Sequence, residues 1–186
     1  MAQLPLNAAL LVVDVQNGFD DPIWGRRNNP TAEDNILRLL ARWRATRRPV
    51  VHIQHMSTSP QSPLRPGQPG NNLKAGFEPH PGEPLIRKQV NSAFVGTDLE
   101  ERLRTVGIQT LVIVGLTTDH CVSTTTRMGA NLGFEPWVVS DATATFDRTD
   151  VHGTYYPAQT MHNVNLASLH GEFATVADTD QVVRRL

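Results

Sequence analysis

Apolar residues in this chain fall into short, nearly continuous runs separated by stretches of helical spacing. Residues 8–15 (AALLVVDV), 49–56 (PVVHIQHM), 84–88 (PLIRK), 109–115 (QTLVIVG), 133–140 (GFEPWVVS) and 171–177 each read as a strand. Runs apolar at successive positions suit strands of a parallel sheet covered on both faces. Between them the apolar spacing widens to three and four residues. Thr31 opens a helix that runs through Ile36, Leu37, Leu40 and Trp43 and stops before Pro49. A second helix spans 97–106, with Thr97 and Glu100 in capping-box positions. A third spans 121–132 and stops at Gly133, and a last long one spans 157–170. The alternation predicts a single-domain, three-layer α/β/α sandwich over residues 1–186, around a six-stranded, mostly parallel sheet.

Residues 57–84 break this rhythm. They hold seven of the thirteen prolines and four glycines, so they form no regular element. A loop of this length in a compact domain reads as a lid or an oligomer-contact arm that helps to shape a site.

In such folds ligands bind at the carboxyl ends of the strands. Three chemically apt residues gather there: Asp14 ends the first strand, Lys88 ends the third, and Cys121 follows the fourth where a helix begins. A helix N-terminus and a nearby ammonium both favour a thiolate, so Cys121 would be the nucleophile and Lys88 its cationic neighbour. Asp14 would move the proton, and turn amides between Gly115 and Cys121 would receive an oxyanion. By spacing alone the same residues read equally as a turn carboxylate, a solvated lysine and a small buried hydrophobe.

Four segments carry a resemblance. LLVVDVQNGF (10–19), IRKQVNSAF (86–94), LVIVGLTTDHCVSTTTRMGANLGF (111–134) and VVSDATATF (138–146) resemble, in order, the aspartate, lysine, cysteine and fifth-strand segments of isochorismatase-like hydrolases. The resemblance covers nearly the whole chain. It implies a catalytic triad of Asp14, Lys88 and Cys121 and a cis peptide between Leu116 and Thr117. It also implies an oxyanion hole from the N–H groups of Thr117 and Cys121, with Gln16 and Phe19 at the pocket mouth. Leu116 would lie beside the substrate. His55, at the functional end of the second strand, reads as a substrate contact or as a histidine satisfied by a loop carbonyl. His120 reads as a neighbour that tunes the nucleophile or caps its turn. Trp24, Phe77 and Tyr155 are candidates for an apolar pocket wall or an interface.

The nicotinamidase branch of that family carries an Asp-x-His and a further His after its second strand, and binds a metal. This chain has no such triplet there. His52 and His55, three apart on a strand, point to opposite faces. No metal and no cofactor is expected. The activity implied is cysteine-dependent hydrolysis of a small-molecule amide, ureide or lactam C–N bond through a thioester. The alternatives are an isochorismatase-type vinyl-ether hydrolase and, from another class, a catalytically idle binding or oligomer scaffold.

Composition narrows the partners. Net charge is −1, and there is no basic block, so a nucleic-acid surface is not expected. The arginines between 38 and 48 read as the solvated face of one helix. No run is long enough to cross a membrane, and no leader pattern opens the chain. A cytoplasmic protein is expected, with a small-molecule substrate and, by the resemblance, a homodimeric or homotetrameric assembly. Cys121 is the one cysteine, so it has no intramolecular disulfide partner.

Overall fold

The computed structural model describes residues 3–186. Strands β1 (Ala9–Val13), β2 (Val50–His55), β3 (Leu85–Lys88), β4 (Thr110–Leu116), β5 (Glu135–Ala144) and, near the C-terminus, β8 (Thr175–Ala177) form one sheet. Its order is β3-β2-β1-β4-β5-β8, and every pairing is parallel. A two-stranded antiparallel ribbon, β6 (Arg148–Thr149) with β7 (Tyr155–Tyr156), stands apart from it.

The pleat of β1 accounts for the layers. Leu10 and Val12 face one core, with Ile36, Leu39, Leu40 and Trp43 of helix α1 (Ala32–Ala45) and Val182 of α5 (Thr179–Val183). Ala9, Leu11 and Val13 face the other. That side holds Leu99 and Leu103 of α2 (Leu99–Thr105), and Leu166 and Leu169 of α4 (Ala158–Leu169). Helix α3 (Ser123–Asn131) covers the same face. With both faces covered, β1 and β4 are buried at every position, as their unbroken apolar runs require.

Several local expectations need correction. Thr31 makes no capping hydrogen bond, and α2 starts at Leu99 with Asp98 as its cap position; Thr97 stands one residue further out, its Oγ1 donating to the Ala93 carbonyl and accepting from the Leu99 N–H at 3.4 Å. Strand β5 runs on to Ala144, past the expected stop at Ser140. Its register with β4 is irregular, pairing Ile113 with Val138 and Gly115 with Thr143, so the polar residues 140 and 141 sit in the irregular stretch. Strand β8 is three residues long, because Gly171 (φ +85) turns the chain before it. The arginine-rich stretch is not wholly solvated. Arg48 is buried and donates to the carbonyls of Pro5 and Leu186, tying both ends of the described chain to the start of β2.

One backbone position carries the geometry of the site. Gly115 lies opposite Val13 in the β1–β4 ladder at φ +117, and a Cβ there would sit 2.0 Å from the Val13 carbonyl oxygen. Only glycine permits this approach. Gly115→Ala is expected to cost about 3 kcal/mol or more. The corresponding fall in Tm, read by calorimetry, is roughly 6–12 °C for a domain of this size.

Candidate active site

The sheet order reverses at β1, whose neighbours β2 and β4 lead away in opposite directions, and the crevice at the strand ends there is where such folds bind ligands. Asp14 follows β1 directly and takes φ +53, a left-handed conformation that Asp tolerates better than most residues. The turn after β4 holds a cis peptide between Leu116 and Thr117 and then a wide π-helical turn, Thr118–Val122. Cys121 therefore lies inside this turn, ahead of α3 rather than at the start of it. Lys88, the last residue of β3, reaches past the end of β2 to meet both.

The three side chains form one buried cluster. Lys88 Nζ donates to Asp14 Oδ2 at 2.6 Å and to Cys121 Sγ at 3.2 Å. Asp14 and Lys88 are fully buried, and Cys121 is 7% exposed. Among the described residues, Asp14 Oδ1 has no hydrogen-bond partner, which leaves it open to a proton. Burial weakens the Lys88 ammonium, but Asp14 and Cys121 more than offset this, and its pKa is raised. Burial first, and then the Asp14 carboxylate, push the Cys121 thiol above its ordinary range, with Lys88 pulling the other way. The direction at Cys121 runs against the expected stabilisation of a thiolate by the helix N-terminus and Lys88, because desolvation outweighs the favourable charges.

Cys121 opens onto a cleft of about 390 Å³. Phe19, Ile23, Trp24 and Leu64 supply its apolar wall; His55, Asn91, Thr117 and His120 supply polar groups. Phe19 and Trp24 pack at 5.3 Å between ring centroids, backed by Phe146. Residues 57, 59 and 61–64 of the proline-rich arm close another side. Among the described residues, no Asp, Glu, Lys or Arg lines the cleft.

The isochorismatase domain family matches residues 8–181. The chain is 52% identical over 175 residues to the uncharacterized isochorismatase family protein YrdC of Bacillus subtilis, covering 94% of each. The crystal structure of a putative hydrolase of this family from Chromobacterium violaceum superposes with a TM-score of 0.95 at 43% identity, covering all of this chain and 96% of that one. The chain belongs to the isochorismatase family. A further relative is a streptothricin hydrolase of Streptomyces noursei, 36% identical over 75% of this chain and half of that protein.

The remaining expected site residues of this isochorismatase-family hydrolase divide by position. Phe19, Trp24, His55, Thr117 and His120 face the cleft. Gln16 does not stand at its mouth. It is fully buried, where Nε2 donates to the carbonyls of His55 and Asn71 and Oε1 accepts from the His55 N–H. Leu116 is also fully buried, off the cleft wall. Phe77 is core, and Tyr155 is exposed, its hydroxyl donating to Asp147.

Asp14, His55 and Cys121 bring possible ligand atoms within 4.8 Å of one another. That donor set does not fit a metal here, because the Lys88 ammonium already contacts all three residues. The second strand's other histidine serves a different partner: His52 Nε2 meets Glu83 Oε2 at 2.9 Å.

Residue patterns did not single out Gln16 or Asn71 as a clamp on the end of β2. Asn71 Nδ2 donates to the His55 and Leu64 carbonyls, so the arm is anchored to the strand end that carries His55. The one available signal was a run of polar residues in an arm too long to be idle.

Proposed function

We propose that this hydrolase cleaves the C–N bond of a small, uncharged amide, ureide or lactam through an acyl-thioester on Cys121. The observation that carries the reading is the cysteine itself. Its sulfur lines a cleft free of formal charge, while the ion pair that can move its proton lies buried behind it. The streptothricin hydrolase among its relatives supports hydrolysis as the reaction.

As Sγ attacks the carbonyl carbon, Asp14 Oδ1 takes the thiol proton, and the N–H groups of Thr117 and Cys121 receive the oxyanion. Asp14 then returns the proton to the departing nitrogen, the C–N bond breaks and a thioester remains. Water attacks the thioester, giving a proton to Asp14. The acid is released, and the proton returns to the sulfur. Lys88 stays an ammonium throughout and holds Asp14 and Cys121 in register.

The vinyl-ether alternative fits the cleft less well. Isochorismate is a dicarboxylate, and recognition of carboxylates calls for Arg or Lys on the wall. The test is a panel of neutral amides, ureides and lactams alongside isochorismate, with amine release measured and the enzyme quenched for mass spectrometry. Release accompanied by an acyl adduct on Cys121 is expected. Turnover of isochorismate without any adduct would overturn the reading.

A further inference from the structure

The triad leaves one contact of Lys88 unexplained. A lysine ammonium has three N–H donors and no acceptor. Two go to Asp14 Oδ2 and Cys121 Sγ. The third meets His55 Nδ1 at 3.1 Å. Three donors thus face three acceptors, and a buried ammonium with an unmet donor would be costly. We infer that His55 is a positioning residue of the catalytic centre: its unprotonated Nδ1 takes the third Lys88 proton and so aims the other two at Asp14 and Cys121. The inference rests on the cysteine-nucleophile reading above and adds a residue to it.

The surroundings of His55 fit this role. It is the last residue of β2 and pairs in register with Lys88 of β3. Its backbone is held on both sides by Gln16, while Asn71 also donates to its carbonyl. The ring is therefore anchored from β1's trailing segment and from the arm. Around it stand Lys88, Asp14 and Cys121, with His120 lining the same cleft. With Nδ1 as acceptor, the neutral ring carries its proton on Nε2. Burial, and then the Lys88 charge, lower the His55 pKa, so the neutral form prevails at pH 7. At acid pH a protonated Nδ1 would point an N–H at an ammonium, and the Lys88 aim would be lost.

Two substitutions separate positioning from plain packing. Asn places an oxygen near the position of Nδ1 but does not titrate, whereas Leu removes the acceptor. The readout is the rate of Cys121 alkylation by iodoacetamide between pH 5 and pH 9, together with kcat and KM on whichever amide the wild type turns over. In the wild type, the logarithm of the alkylation rate should steepen below the ordinary histidine range. In His55→Asn the rate at pH 7 should stay within about threefold and the steepening should vanish. In His55→Leu alkylation and kcat should both fall about tenfold or more, with KM changed less. Circular dichroism shows whether each variant is folded; an unfolded His55→Leu leaves the decision to the Asn profile. Steepening that persists in His55→Asn, or is missing from the wild type, would overturn the inference, as would a loss confined to KM. If the wild type turns over no amide and carries no acyl adduct on Cys121, the nucleophile reading fails instead, and the two failures are thereby distinguished.

Discussion

Cys121→Ala is expected to abolish amide turnover, by at least about 10⁴-fold in kcat, while the protein stays folded. The expectation follows from the absence of any substitute nucleophile in the cleft. Among the described residues, none of the serines and threonines that line it is hydrogen-bonded to the Asp14–Lys88 pair as Cys121 is. Losing one member of a unit that acts together costs nearly as much as losing all of it. The fold should tolerate the change. Cys121 is small and near the surface of the cleft, and a single sulfur atom removed from its edge costs about 1 kcal/mol. Cys121→Ser is the sharper comparison: it keeps the shape but replaces a thiol with a much weaker acid, and a similar loss is expected. Stopped assays of amine release, with melting curves run beside them, check both variants. Turnover retained in either variant would remove the thioester from the mechanism.

What could be read from the residue pattern and what could not divide along a physical line. The strands were legible because parallel strands covered on both sides are apolar at consecutive positions, and β1 and β4 show this without interruption. The strand-end rule then placed Asp14, Lys88 and the Cys121 turn on one edge, and the structure brings their side chains into contact. Contacts made across long sequence separations were not legible. Gln16 looked like a mouth residue and is a buried clamp on His55, because its partners come from β2 and from Asn71 in the arm. Arg48 looked solvated within a run of arginines, yet it satisfies carbonyls at both ends of the described chain. The electrostatics around Cys121 was only partly legible for a related reason. Favourable charges are visible as residue types, whereas the desolvation that outweighs them depends on how completely the surrounding chains close over the thiol.

Lys88→Met is expected to be the most damaging single change to stability within the site. Lys88 and Asp14 are both wholly buried and paired at 2.6 Å. Removing the ammonium leaves the Asp14 carboxylate in the core without its cationic partner. Breaking a buried pair in this way costs about 3–5 kcal/mol, equivalent to a Tm loss of roughly 6–20 °C here. In the wild type the contribution of the pair depends on pH. The folded-state pKa of Lys88 is raised, so the stabilisation is fully present below the ordinary lysine range and is lost only as pH climbs through the raised value. The double variant Asp14→Asn with Lys88→Met removes both charges. It should recover much of the lost stability, since the penalty belongs to the isolated charge and not to the missing pair. It should not recover activity, because Asn cannot carry the proton between sulfur and nitrogen. Denaturant melts of the two single variants and the double, analysed as a cycle, separate the two roles of the pair. A double variant no more stable than Lys88→Met would show that Lys88 supports the fold by its packing, and not by neutralising Asp14.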